Sequence, residues 1–155
     1  MKIINLVLVF ICSLFALSAC TDEKLSREDE IRQFIKQGVE QAEKRSVSGV
    51  ADMVNERYRD PKGLNKAQIK SMLRLYFLRH KNIYLFTKID DILFHAENEA
   101  TVKLHVAMAG SVISDVTALS SLRARIYKFE LQLVKEDEWR LLSAKWQRAD
   151  ISDIR

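Results

Sequence analysis

The spacing of apolar residues changes near Lys81, and this change constrains the fold more than any other feature of the sequence. Before it, apolar residues recur every three or four positions, as they do along one side of an α-helix. After it, apolar and polar residues alternate, as they do along a strand with one buried face. A helical half followed by a strand half predicts an α+β domain with its helices gathered on one face of an antiparallel sheet.

Three helices are expected before the change. The first begins at Ser26, which opens a capping-box pattern in which the serine hydroxyl accepts a hydrogen bond from the backbone three residues on,. A short second helix is expected near 47–54, and a short strand near 55–59. The turn at 60–63 contains the only proline and separates this strand from a third helix, which Asn65 caps,.

Four strands in an antiparallel meander are expected over 83–150,. The first, over 83–95, has apolar residues at both odd and even positions, with Asp90 and Asp91 in its middle. A β-bulge there would let both sets face the core in turn, because one inserted residue reverses the alternation. Residues 110–121 carry small and β-branched side chains and have no assignment from the pattern.

Two short signatures accompany this order of elements. Tyr-Arg-Asp-Pro-Lys-Gly-Leu-Asn at 58–65 precedes the third helix, and Glu-Trp-Arg-Leu at 138–141 opens the last strand. Over 26–150 the chain resembles the nuclear transport factor 2-like superfamily, also called SnoaL-like or cystatin-like. The resemblance implies an α+β fold: a curved antiparallel sheet of four long strands plus a short one, wrapped as a cone around two long helices and one short helix. It implies no single activity, since this fold hosts cyclases, isomerases, dehydratases and non-catalytic binding domains.

The amino terminus is expected to be a secretory signal that covers 1–19. Lys2 gives it a positive start, residues 3–16 are uncharged and largely apolar, and small residues precede a cleavage point after Ala19,. The apolar run is shorter than the roughly 20 residues that cross a bilayer as a helix. A retained transmembrane anchor is therefore the less favoured alternative.

Residues 17–20, Leu-Ser-Ala-Cys, resemble the lipobox of bacterial lipoproteins. The resemblance implies that Cys20 is acylated and becomes the first residue of the mature chain, with 20–25 as a tether; an ordinary signal peptide cut near an incidental cysteine is the alternative. In lipoproteins of Gram-negative bacteria, aspartate directly after the cysteine resembles an inner-membrane retention signal. Thr21 occupies that position here, so we expect an outer-membrane anchor with the domain facing the periplasm.

Cysteine use and charge narrow the classes of function. Cys12 lies in the predicted signal and Cys20 in the lipobox, which leaves no thiol for a disulfide, a metal site or a nucleophile,.

The formal charge of +4 arises from 25 basic and 21 acidic side chains mixed along the chain. This mixture is typical of a solvated surface and not of a basic stripe, so we expect no nucleic-acid partner. No motif indicates a cofactor, and attraction to anionic lipids beside the anchor is expected but unspecific.

Five side chains are candidates for a ligand pocket inside the cone. Arg125 shares its strand face with Tyr127 and the apolar residues beyond it, so the inner face grades from basic to apolar. A guanidinium at the mouth of the cone would bind a carboxylate or phosphate in bidentate fashion. The alternative is an arginine in water with only its stem packed. The candidates are Tyr58, Tyr76, Arg125, Tyr127 and Trp146.

A catalytic base is harder to place. Relatives with isomerase or cyclase activity use an Asp or His inside the cone, and Asp91 matches that role if the bulge turns it inward, with Tyr58 or Tyr127 as donor to an oxyanion. Asp60 is the second candidate, although an aspartate in a Pro-Gly turn usually serves the turn. The three histidines have no acidic neighbour on an inward position, so no metal site is expected,.

The leading hypothesis is a lipid-anchored periplasmic domain that is non-catalytic. It would bind a small amphipathic ligand in the cone or an envelope protein on the open face of its sheet. The alternatives are a SnoaL-like or ketosteroid-isomerase-type enzyme, and a structural lipoprotein that forms a homodimer through its sheet. Residues 151–155 are expected to be a C-terminal tail.

Overall fold

A computed structural model describes residues 25–119, 122 and 124–154. They form helices α1, α2 and α3 and strands β1 to β4, which confirms the α+β prediction. The helices are α1 Arg27–Glu43, α2 Val47–Asp52 and α3 Lys66–Arg79; the strands are β1 Tyr84–Ala96, β2 Glu99–Ala109, β3 Arg125–Lys135 and β4 Trp139–Ala149. Residues 1–24, which include the predicted signal at 1–19 and Cys20, lie outside the described residues. Within the described part of the chain, no helix is long and apolar enough to cross a membrane.

The sheet is antiparallel with the strands in chain order, as the meander predicts. Its register shifts between Ile89 and Asp91, so the predicted bulge is present. Leu85 and Ile89 before the bulge, and Ile92 after it, pack against the same core. The expected short strand is reduced to one parallel bridge between Val54 and Leu141.

Side-chain caps fix where the long helices begin. The hydroxyl of Ser26 accepts a hydrogen bond from the amide of Asp29 at 3.1 Å. Asn65 and Gln68 form a reciprocal capping box, with backbone-to-side-chain distances of 2.9 and 3.0 Å. These bonds satisfy amides that would otherwise lack a partner in the first turn.

The main core lies between α1 and the concave face of the sheet. Ile31 and Ile35 of α1 pack against Val102 and Leu104 of β2, and all four side chains are buried. At the polar edge of this core, the Glu30 carboxylate accepts hydrogen bonds from the Lys135 ammonium at 2.6 Å and from the Trp139 indole at 3.0 Å. These two hydrogen bonds join α1 to β3 and β4.

A second apolar cluster covers one end of the outer face of the sheet. Ala107 and Ile126, which are neighbours across β2 and β3, are buried beneath two short 3-10 helices, Val116–Leu119 and Ile151–Ile154. Residues 151–154 of the predicted C-terminal tail therefore pack on the sheet, with Ile154 only 1% exposed. The unassigned segment 110–121 includes the other cover.

Candidate functional site

An apolar cavity of about 400 Å³ lies at the open end of the cone, between α2, α3 and the sheet. Apart from two tyrosine hydroxyls and the indole of Trp146, its lining side chains are apolar. Three of the five predicted pocket residues, Tyr58, Tyr76 and Trp146, belong to the lining. The cone is thus not filled by its own side chains, although Phe129 and Trp146 stack at 6.2 Å between ring centroids.

A smaller cavity of about 180 Å³ adjoins the first and contains the other two predicted residues, Arg125 and Tyr127. The two cavities share four lining residues: Tyr76, Met108, Phe129 and Trp146. Arg125 is exposed and Tyr127 is half-buried, so this cavity forms the mouth. All five predicted pocket residues are therefore brought together at one end of the cone; their role in binding stays a prediction.

The local sequence explains this arrangement. On α3, Ile69, Leu73, Tyr76 and Phe77 recur at helical spacing and line one wall of the large cavity,. On β3, every second residue at its amino-terminal end lines the cavities, and the first of these is Arg125, where the strand begins,. The inner face of β3 consequently changes from apolar to basic at the mouth, as the sequence predicts.

Tyr58 is the most buried polar side chain of the site, at 1% exposure. It packs with Val54 and Ala144 under the large cavity. Burial and, second, the charge of Asp60 raise the pKa of Tyr58 to about 12, against the opposing effect of a hydrogen bond with the backbone of Ala144. The phenol therefore remains a neutral hydrogen-bonding group at any physiological pH.

Other contacts hold the mouth in shape. The Tyr76 ring stacks on His80 with 4.1 Å between centroids, and its hydroxyl lies 3.6 Å from the sulfur of Met108. The ammonium of Lys62 lies 5.1 Å from the ring centroid of Trp146, which is within the range of a cation–π contact,. The turn before α3 is thus attached to the wall that β4 contributes.

The structure contradicts the proposed catalytic role of Asp91. The bulge restores the inward alternation at Ile92, so Asp91 pairs with Lys103 on the outer face and is exposed. Asp60 is buried and serves its turn: one carboxylate oxygen accepts amide hydrogen bonds from Lys62 at 2.9 Å and Leu64 at 2.8 Å. Among the described residues, neither cavity is lined by an acidic residue or a histidine, and the isomerase-type hypothesis based on Asp91 is therefore wrong.

His105 is a feature that the sequence pattern did not reveal. It lies on the outer face, as its alternation with Lys103 predicts, but it is only 5% exposed. Its Nδ1 is 2.8 Å from a carboxylate oxygen of Asp90, the bulge residue, although neither ring nitrogen makes a well-directed hydrogen bond to a described residue. The apolar residues of 110–121 and 151–154 were the signal that part of this face is covered.

Metal binding has no support among the described side chains. No group of three or more His, Cys, Asp or Glu residues is clustered in this part of the chain. His95 contacts the hydroxyl of Thr101 at 2.8 Å and is exposed, and His80 is stacked on Tyr76. The three histidines therefore make separate contacts and do not form one cluster.

The sequence matches no protein-family model and no curated protein, whereas many solved structures share the fold. A domain of unknown function with a cystatin-like fold from Nostoc punctiforme aligns over 79% of this chain and 77% of its own, with 17% identity and a TM-score of 0.60. A nuclear transport factor 2-like protein from Shewanella oneidensis aligns over 78% and 98%, with 16% identity and a TM-score of 0.57. A ketosteroid isomerase-like protein from Erwinia carotovora atroseptica aligns over 83% and 98%, with 11% identity and a TM-score of 0.59.

These similarities establish the fold. The chain has the cystatin-like α+β architecture of nuclear transport factor 2-like domains, as its element order predicts. At identities this low, the neighbours do not transfer an activity, because the same fold carries unrelated sites. Function has to be argued from the lining of the cone.

Proposed function

We propose that this protein binds a small amphipathic molecule with an anionic head group. The observation that carries the proposal is the apolar cavity of about 400 Å³ with Arg125 in the adjoining mouth. Small-molecule pockets usually measure roughly 300–1,000 Å³ and combine apolar walls with a few polar groups. The apolar part of the ligand fits the walls, and the anionic group fits the arginine.

The two ends of the site would recognise different parts of the ligand. Removing apolar surface from water contributes roughly 25 cal/mol per Å² to binding, and this term does not distinguish head groups. The guanidinium of Arg125 forms charge-assisted hydrogen bonds with a carboxylate or phosphate and supplies that distinction. Tyr127, half-buried beside it in the mouth, adds a hydroxyl within the same cavity.

A matched ligand pair tests this division. The full chain would be titrated with decanoate and decanol, which have chains of equal length but differ in charge, by displacement of a fluorescent fatty acid. Arg125→Gln should weaken decanoate binding about 10-fold, the low end expected for a charge-assisted hydrogen bond at an exposed site, and leave decanol unchanged. Leu73→Trp, which fills the large cavity, should weaken both, and Val112→Trp, at a site that is 66% exposed, should weaken neither. Absence of binding by both ligands, or equal loss of both in Arg125→Gln, would contradict the proposal.

The site of action in this proposal is the bacterial envelope, with acylated Cys20 as the anchor in the outer membrane and the domain in the periplasm. The lipobox pattern at 17–20 supports it. In the native host, Cys20→Ser should abolish incorporation of labelled palmitate and move the protein out of the membrane fraction. Retention of both would exclude acylation at this residue.

The outer face of the sheet supports a second candidate function, binding of a protein partner or a second copy. A groove of about 220 Å³ crosses β2, β3 and β4 there, and Lys103 and Lys145 flank Glu130 across the three strands. Alternating charges of this kind favour a partner whose surface carries the opposite charges in the matching order. Light scattering of the full chain in detergent, with Glu130→Lys as the disrupting variant, should show loss of a dimer if the partner is a second copy.

A further inference from the structure

Basic residues are concentrated in one part of the chain. Residues 61–89 contain seven of the 25 basic side chains and none of the 21 acidic ones. Lys62 lies over Trp146, Lys66 pairs with Glu56 at 2.7 Å, and Lys88 donates to the carbonyl of Ile154. The remaining four are exposed and lie on α3 or directly after it: Lys70, Arg74, Arg79 and Lys81. Within the described part of the chain, none of these four makes an ion pair.

The same helix exposes a stripe of large apolar side chains, which we call the α3 stripe: Met72, Leu75 and Leu78. They follow one another at three-residue spacing and are 46%, 56% and 75% exposed. Single exposed apolar residues are common on soluble proteins, whereas a contiguous group on one element marks an interaction site. Met72 also reaches the edge of the large cavity, which Leu73, Tyr76 and Phe77 line. Leu75 and Leu78 do not line it, so these two leucines are additional to the apolar face that the fold requires.

Arginines border the α3 stripe on both edges. Arg74 is four residues before Leu78, and Arg79 is four residues after Leu75, and residues four apart are neighbours on a helix surface. Long basic side chains of this kind lay their stems along apolar surface and keep their charged ends in a polar layer. Leucine on a helix face bordered by basic residues is the arrangement of helices that lie in a membrane interface.

We propose that α3 docks the domain on the surface of a membrane that contains anionic lipid. Leu75 and Leu78 insert at the boundary of head groups and acyl chains, and Arg74 and Arg79 contact lipid phosphates. Charge complementarity selects this occupant, because each basic residue near an anionic bilayer strengthens association about five-fold at moderate salt. A second copy placed symmetrically on the α3 stripe would bring like charges together. The proposal depends neither on ligand binding in the cone nor on acylation of Cys20.

Photocrosslinking of the full chain in vesicles tests the docked orientation. A benzoylphenylalanine would replace Leu78 in one sample and Leu93 in another; Leu93 is 50% exposed on the opposite face of the sheet. In vesicles of phosphatidylcholine with phosphatidylglycerol, position 78 should form lipid adducts at least five-fold more often than position 93. In pure phosphatidylcholine, or at 1 M salt where the Debye length falls to about 3 Å, the difference should decrease several-fold.

Charge variants separate docking from simple proximity to the bilayer. Arg74→Gln with Arg79→Gln should reduce the excess of adducts at position 78 over position 93 by about 25-fold, from two factors of about five. The matched control is Lys128→Gln with Lys145→Gln, which removes two exposed charges from the outer face and should leave the lipid adducts at position 78 unchanged. Equal adducts at 78 and 93, an equal effect of both charge pairs, or adducts from position 78 to a second copy or to the chain's own residues 3–16 would overturn the proposal. Leu73→Trp should leave the adducts unchanged, so failure of ligand binding and failure of docking are distinguishable.

Discussion

Replacing Tyr58 by Phe should produce a stability difference that reverses sign with pH. Tyr58 is 1% exposed and packs between Val54 and Ala144. At neutral pH, Tyr58→Phe removes the hydrogen bond between the phenol and the backbone of Ala144 and leaves a backbone group without its partner. We expect it to lower the free energy of unfolding by about 1 kcal/mol.

At alkaline pH the same substitution should become stabilising. Burial first, and the charge of Asp60 second, raise the pKa of Tyr58 from 10.0 to about 12 in the folded chain. In the unfolded chain the phenol ionises near 10, so between pH 10 and 12 the unfolded state binds fewer protons than the folded state. The stability of the native sequence is complete below pH 10 and falls as the pH rises through this window, by at most ~2.7 kcal/mol. The phenylalanine variant lacks this term, and it should become the more stable protein near pH 11.

Urea denaturation of both proteins at half-unit steps from pH 7 to 12 measures the effect. Every other titrating group contributes equally to the two proteins, so the difference between their unfolding free energies isolates Tyr58. Tyr84→Phe, which removes a phenol from β1 outside the cavity, is the control for loss of a tyrosine and should not show the reversal. A difference that stays constant from pH 8 to 11.5 would refute the argument that Tyr58 is held neutral by its surroundings.

Three further substitutions test contacts that stabilise the domain and the start of α3. Glu30→Ala should lower the free energy of unfolding by about 1–3 kcal/mol in urea titrations, because it leaves the Lys135 ammonium and an indole N–H without their acceptor,; an unchanged midpoint would contradict this. Gly63→Ala should cost about 1 kcal/mol by thermal melting, since Gly63 has a φ of +81°,, whereas Gly110→Ala, where an added Cβ meets nothing within 4 Å, should be close to neutral. Asn65→Ala removes the capping box of α3 and should also cost about 1 kcal/mol, with loss of helical circular dichroism before global unfolding.

The sequence was sufficient to predict the parts of the fold that depend on periodicity and caps. The change of period, the capping residues Ser26 and Asn65, and the bulge at Asp90 all appear where the pattern indicates. Each depends on residues close in sequence, whose geometry is fixed by the local backbone. The inward parity of β3, and with it the position of Arg125 at the mouth, follows from the same alternation.

Contacts between distant segments could not be predicted in this way. The bulge could be located, but the direction of Asp91 depends on how many residues the bulge inserts, and the structure turns Asp91 outward. The burial of Ala107 and Ile126 depends on Val116–Leu119 and Ile151–Ile154 covering the outer face, and neither segment has a periodicity that indicates its partner. Likewise, no pattern in the sequence shows whether large side chains fill a cone or only line it.

Helix α3 shows why one apolar pattern can have two consequences. Its apolar residues occupy most of its circumference, so the sequence indicates a wide apolar face without saying which part is covered. In the structure, Tyr76 and Phe77 face the cavity while Leu75 and Leu78 face solvent.

If α3 lies on a bilayer through Leu75 and Leu78, the helix that forms a wall of the cavity is the element in contact with the lipid. An amphipathic ligand would then reach Arg125 from the membrane side without crossing bulk water. This order of events predicts that decanoate delivered in anionic vesicles binds faster than decanoate delivered in solution. Arg74→Gln with Arg79→Gln should remove this difference in rate and leave the rate from solution unchanged. Equal rates by both routes would show that docking through α3 does not assist ligand entry into the cavity.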